Sequence, residues 1–202
     1  MGGHSSDMAG NACRASNSRF ETKVLAKEVP LMKTLIRILA LGALGASLVG
    51  FRGDQASSDL QRRVNAEMAK YVAALKKKDA KTCEAILRAN FAPDYKATDL
   101  KGKVTGLDNM ISQEKMHIAM IKNVQSATLR VSDLRIKGDR ATSKGHFVMN
   151  ATVGDQKNAG ASHKLHVSSS WDANFVKRSG KWWVHSDKTT SEKVTMDGKP
   201  LP

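Results

Sequence analysis

Apolar residues recur along this chain in three rhythms, and each points to a different kind of element. Ile38 to Val49 is a run of 12 residues without a charge. It is shorter than the ~20 residues a membrane-spanning helix needs, and it is apolar on every face. From Leu60 the rhythm becomes helical. Leu60, Val64, Met68, Val72 and Leu75 follow at steps of 4, 4, 4 and 3, one stripe of an amphipathic helix over about 59–77. Ser58-Asp59-Leu60-Gln61 has the spacing of a capping box at its start, and Lys76, Lys77 and Lys78 suit its C-terminus. Asp79 can cap a short second helix through Cys83, Ile86 and Leu87, which Pro93 stops. A short irregular strand pair is expected over 95–105, around Lys101-Gly102-Lys103. Thr105 or Gly106 then opens a third helix, about 107–123, with Leu107, Met110, Ile111, Ile118 and Ile121 on one side.

Beyond residue 128 the rhythm turns to alternation. Leu129–Ile136 changes parity near Ser132-Asp133, the mark of a β-bulge. Arg140–Val153, Ser162–Arg178 and Lys181–Thr190 follow as strands, with a loop at 154–160 and a tight turn at Ser179-Gly180. Short connections make such strands antiparallel neighbours. Asp197 to Pro202 reads as loop, and no internal repeat is visible.

Met32-Lys33-Thr34-Leu35-Ile36-Arg37 puts a basic stretch before the apolar run, and Gly45, Ala46, Ser47 and Gly50 are small. That order is the pattern of a secretory signal peptide, here about 32–50 within a leader ending at 53. Residues 1–31 have no period and read as a non-structural leader upstream of Met32, as from a start placed too early. Cleavage after Gly45, Ser47 or Gly50 fits equally, and an uncleaved anchor is the alternative. No cysteine follows the run, so a lipid-anchor site is missing. The expectation is a secreted or periplasmic protein with a domain over 54–192 and a C-terminal tail over 193–202.

Composition narrows the picture further. Hydrophobic residues are 41% of 202, which excludes wholesale disorder. Two cysteines, Cys13 and Cys83, exclude a disulfide scaffold and a four-thiolate zinc site. The net charge is +14, from 33 basic and 19 acidic residues. Residues 1–53 hold seven basic and three acidic side chains, so the remainder keeps 26 and 16, a charge of +10. Lys and Arg are spread along the chain, without a Gly-rich phosphate loop or aromatic–basic interleaving. No specific nucleic acid is expected, and solubility with weak adhesion to envelope anions accounts for the charge.

Several segments together carry a family resemblance. These are the long helix, the short helix ending in Phe91-Ala92-Pro93-Asp94-Tyr95, and the Gly102…Gly106 entry to a third helix. Lys137-Gly138-Asp139-Arg140-Ala141 and Phe175-Val176-Lys177-Arg178-Ser179-Gly180-Lys181-Trp182-Trp183 follow on strand pairs. Over about 56–192 the chain resembles the nuclear transport factor 2-like superfamily, in its SnoaL-like, ketosteroid isomerase-related bacterial branch. The resemblance implies an α+β cone of the cystatin-like kind, a curved antiparallel sheet wrapped around three N-terminal helices. Its members range from isomerases and cyclases to binding without catalysis, so the fold leaves function open.

Hairpin geometry gives provisional pairs: Phe147 with Val167, Met149 with Leu165, and Phe175 with Val184. On that apolar face the neighbours of Trp171 are small, namely Ser143, Gly145, Ser169, Ala173 and Ser186. Small residues there admit either a close helix or a ligand. The ligand reading takes Trp171, Tyr95, Phe147, Ser169, Ser143 and Phe175 as pocket residues for a small apolar molecule. The opposite face carries His146, His166, His185 and Trp183. His185 lies about 26 Å along the strands from His166, too far for shared coordination, so no metal is expected, and no cofactor. Exposed Trp183 favours a homodimer through this face.

Acid–base candidates are few. The resemblance implies that a buried Asp or Tyr, tuned by an apolar pocket, does proton transfer in the isomerase-like members. Glu114 and His117 share the inner side of the third helix at i, i+3 and could handle a proton. The plainer alternative is a surface pair worth a few tenths of a kcal/mol. Asp94 is a third candidate base, beside Tyr95 and Asp99. Cys83 reads as core. Three functions stay open: a ligand-binding domain without an assigned reaction, an isomerase, cyclase or dehydratase, and a dimeric assembly module. A membrane enters only through an uncleaved anchor.

Overall fold

A computed structural model describes residues 53–155 and 160–201, with side chains from residue 55 onward. The expectations for residues 1–31 and for the signal peptide lie outside the described residues. Three helices come first: α1 (Gly53–Lys76), α2 (Ala80–Asn90) and α3 (Leu107–Met120). The strands are β1 (Phe91–Thr98), β2 (Val104–Gly106), β3 (Ile121–Lys137), β4 (Arg140–Gly154), β5 (Ser162–Arg178), β6 (Lys181–Met196) and β7 (Lys199–Pro200). The sheet order is β2-β1-β6-β5-β4-β3, with β7 beside β6. All pairs are antiparallel except β1 with β6. The helices cover one face of the sheet, and the core lies between them.

Local chemistry explains most boundaries. Asp79 caps α2, its carboxylate accepting from the Thr82 N–H at 2.9 Å. Gly106 is the N-cap of α3. Asp133 sits at φ 53° where β3 shifts register against β4, the expected bulge. Ser179 and Gly180 turn with φ of 50° and 78°.

Several expectations need correction. Helix α1 begins at Gly53, so Ser58 lies inside it and the capping box is not its start. Helix α3 ends at Met120, and Ile121 already begins β3, which is eight residues longer at its start than expected. Strand β6 continues from Thr190 to Met196, and the tail returns as β7. The β4–β5 register is also shifted by two. Phe147 faces Ser169 and Met149 faces Val167, while Phe175 faces Val184 as expected. A shift of two leaves each side chain on its face.

Strand β3 is an edge strand, and its outward backbone groups need partners. Helix α1 supplies them. Asn65 donates from Nδ2 to the Val131 carbonyl at 3.0 Å and accepts from the Val131 N–H at 2.8 Å. Gln61 accepts from the Leu134 N–H at 3.2 Å, and Ser57 from the Ile136 N–H at 3.3 Å. Ser57, Gln61 and Asn65 are four apart, so one stripe of α1 serves the edge. The adjacent stripe, Leu60, Val64, Met68, Tyr71 and Leu75, is buried in the core.

Trp171 fills the middle of the inner face. Its indole lies where Gly145, its partner on β4, lacks a side chain. A Cβ at Gly145 would stand 2.0 Å from Cε2 of the indole. Gly145→Ala is therefore expected to lower stability by about 3 kcal/mol through overpacking, measured by urea unfolding. Asn65→Ala is expected to cost about 2 kcal/mol, because the Val131 N–H and carbonyl lose their partner. It should also promote concentration-dependent aggregation by light scattering, since the edge is uncovered.

Candidate functional site

Two tyrosine–carboxyl pairs stand in the core. The first joins α1 to α3, with the Tyr71 hydroxyl donating to Oε1 of Glu114. Both residues are buried, as is His117 one turn on along α3. Burial pushes the Glu114 carboxyl up to about 7, although the Tyr71 hydrogen bond opposes the rise. Tyr71 is held well above the ordinary phenol range by burial and by the negative field of Glu114. Cys83 of α2 borders this pair. Burial first, and Glu114 second, push its thiol up to about 12. It stays protonated and unreactive at neutral pH.

The second pair joins β1 to β6, with the Tyr95 hydroxyl donating to Oδ2 of Asp187. Asp187 is likewise raised to about 7 by burial, against the pull of Tyr95. Tyr95 is raised well above its ordinary value, again mainly by burial. Phe91 packs edge-on against the Tyr95 ring, with centroids 4.7 Å apart. Near pH 7 each pair holds a carboxyl that is partly protonated and one hydrogen bond from a phenol. Such a group can give or take a proton without a large energetic mismatch.

Of the residues expected at a site, Glu114 and His117 face the interior together. Trp171, Tyr95, Phe147, Ser169, Ser143 and Phe175 also line it, all 4% exposed or less. Side chains pack closely around them, leaving little accessible surface. Two polar atoms in this packing have no partner among the described residues, Nε1 of Trp171 and Oγ of Ser143. Ser169, by contrast, donates to the Ser191 carbonyl at 3.3 Å. Asp94 is not brought inside. It is exposed and takes a two-bond fork from Arg178, at 2.9 Å and 2.9 Å. That hydrogen bond holds its carboxyl down to about 2, too acidic for a general base at neutral pH. Asp99 accepts from the N–H groups of Lys101 and Lys103 and shapes the β1–β2 turn.

Two of these interior groups escaped the sequence reading. After Met68 the helical stripe fits either Val72 or Tyr71; steps of 4, 4, 3 and 4 lead to Tyr71, and it is Tyr71 that is buried. Asp187 escaped because β6 carries a bulge between its Val184 and Ser186 pairings. The extra residue, His185, puts Ser186 opposite Asn174 on the outer face and turns Asp187 inward. Ser186 is therefore not a neighbour of Trp171 on the inner face. The nearby Lys-Trp-Trp alternation had no irregularity from which to read the bulge. On the outer face, His146 bonds Ser170 and His166 bonds Asn150.

No protein-family model matches this chain, and no curated protein matches it. Its likeness to solved structures lies in the fold. The Kfla4162 protein from Kribbella flavida is 12% identical over 67% of this chain and 95% of its own, with a TM-score of 0.51. A nuclear transport factor 2-like superfamily protein from Salmonella enterica is 12% identical, over 66% and 92%, with a TM-score of 0.48. A protein of the same kind from Cytophaga hutchinsonii is 16% identical, over 65% and 98%, with a TM-score of 0.45. The architecture is the α+β cone that the sequence resemblance implied, a mostly antiparallel sheet with N-terminal helices on one face, and the Kribbella flavida protein shares this fold.

The raised carboxyls set a pH dependence. The native state holds protons on Glu114 and Asp187 that the unfolded chain releases near pH 4. Stability therefore falls as pH rises from about 4 to about 7, then levels off. Glu114→Gln and Asp187→Asn should each flatten part of this slope. Urea unfolding across the range reads it directly, and a slope that survives both substitutions would assign it to other groups.

Proposed function

For a chain with this fold, we propose that the cone takes up one small, mostly apolar molecule beside Trp171, with a single polar atom held there. The observation that carries this reading is the pair of unpartnered groups, the Trp171 indole N–H and the Ser143 hydroxyl. A buried donor without a partner costs about 1–3 kcal/mol, so their place in an apolar interior favours a polar atom between or beside them. Met68, Met110 and Met149 belong to the same core. Their unbranched side chains can repack at low cost to admit a guest. The leader pattern at 32–53 supports an exported setting for this binding.

The test uses the three indole N–H resonances of the ¹⁵N-labelled chain, with cyclohexanone and 2-naphthol as probes. One of the probes should shift the Trp171 resonance and leave that of exposed-side Trp183 in place. Trp171→Phe should weaken its binding about tenfold, the worth of one hydrogen bond. A Trp171 resonance unmoved at saturating probe, with an internal water detected at it, would sink the reading.

A second reading rests on a different observation, the Glu114 carboxyl raised to about 7 beside Tyr71. It supports proton transfer of the isomerase, cyclase or dehydratase type, with Glu114 as base or acid and His117 as a neighbouring relay. A bound molecule whose α-proton exchanges with deuterated solvent in the native chain, but not in Glu114→Gln, is the expected result. Exchange that persists in Glu114→Gln would remove Glu114 from that role.

A further inference from the structure

The β3–β4 hairpin carries a cluster of cations onto one surface of the fold, where those of neighbouring strands join it. The outer face of the sheet is formed by the exposed positions of β3 to β6. Register pairs place Arg135 beside Thr142 and Asn174, and the next row holds Lys137, Arg140, Val176 and Trp183. Further along, Lys144 and Lys188 flank Asp172. Arg135, Lys137 and Arg140 are all exposed, and their side chains have no ion-pair or hydrogen-bond partner among the described residues. They rim a depression of about 620 Å³ that also touches Phe175, Val176 and His185. Trp183 is half-buried on the same face, with the Lys181 ammonium 3.5 Å from its ring centre.

The chain enters the domain at this same corner. Ser57 of α1 bonds the Ile136 N–H, one residue from Arg135 and from Lys137. The apolar run ends at Val49, four residues before α1 begins at Gly53. Four residues of chain and one helical turn span at most about 20 Å. In the uncleaved chain this short span holds the basic corner close to any lipid that the apolar run meets.

We propose that the basic corner of the outer face, Arg135, Lys137 and Arg140 with Trp183, docks on an anionic lipid surface. Unpaired cations gain by approaching anionic headgroups, each by a similar increment near the surface. An amphipathic indole between water and hydrocarbon suits the boundary layer. Duplex or single-stranded nucleic acid is disfavoured because Trp183 is the single aromatic side chain on this face among the described residues, too few for a stacking platform that tracks successive bases. A second copy of the chain is disfavoured because like charges would face each other across the contact. This docking is independent of what the cone binds.

The test uses the full chain carrying Leu41→Asp and Leu44→Asp, so that the apolar run does not bind lipid by itself. Sedimentation with vesicles of phosphatidylcholine alone, or mixed with phosphatidylglycerol, gives the affinity. Binding is expected only to the mixed vesicles, weakening as salt is raised, with a blue shift in tryptophan emission that Trp183→Phe removes. Arg135→Glu with Arg140→Glu should weaken it about thirtyfold or more. Lys77→Glu with Lys81→Glu changes the net charge equally at the far end of α1 and should leave it nearly unchanged. All four positions are exposed, so thermal unfolding should report folded variants. Equal weakening by the two double variants would reduce the effect to bulk charge and overturn the proposal. So would equal binding to both kinds of vesicle, tighter binding to a DNA duplex than to mixed vesicles at the same salt, or a solution mass twice the 21.9 kDa of the chain.

Discussion

The free edge of β3 is the constraint on which the rest of the structure depends. A 17-residue edge strand exposes a row of backbone donors and acceptors that must be satisfied or shielded. Ser57, Gln61 and Asn65 do this from α1, and in doing so they fix the helix along the strand. Only one rotation of α1 lets the polar stripe meet β3 while the apolar stripe faces the core. That rotation carries Tyr71 inward, six residues beyond Asn65, onto Glu114. The interior pair is thus a consequence of how the edge is covered. Substitutions at Asn65 and at Tyr71 are coupled through the placement of a single helix.

The interior combines two tendencies that oppose each other. Most of it is packed apolar surface, with Phe147, Met149 and Val167 fully buried. Yet it encloses two carboxyls, an imidazole, an indole N–H and several hydroxyls. Apolar replacements of similar size would avoid these desolvation costs, so a core built only for stability has little use for them. Each carboxyl is partnered by a phenol rather than by a cation, and it therefore keeps its proton to nearly neutral pH. A cation would have stabilised the charge and lowered the affinity for the proton instead. The chemistry on offer inside is proton exchange and hydrogen bonding near pH 7, without a strong nucleophile.

The two faces of the sheet divide the molecule's properties. The inner face holds the apolar and near-neutral groups, and the outer face holds cations, histidines and amides paired with neighbouring hydroxyls. Alternation along each strand makes this division possible. Bulges decide where it changes over. At His185 one extra residue exchanges the faces, sending Ser186 out and Asp187 in, so a one-residue irregularity decides which polar group enters the core.

The sequence by itself determined the class of fold, the order of the elements, and most inner-face residues. Helical and alternating periods follow from the burial of one side of each element, and that requirement is written locally. Asp79 at a cap, Ser179-Gly180 at a turn and Asp133 at a bulge were legible for the same reason. Glu114 and His117 could be placed on the inner side of α3 because i and i+3 share a helix face. Their partner could not, because Tyr71 lies 43 residues away along the chain, and helix–helix contact is not encoded in local spacing. The Tyr95–Asp187 pair spans 92 residues and needs both the parallel β1–β6 pairing and the bulge at His185. The basic corner was legible in part. Arg135, Lys137 and Arg140 lie within six residues on one hairpin, but Trp183 joins their row only through the register of β4, β5 and β6, which is set by hydrogen bonding between distant segments.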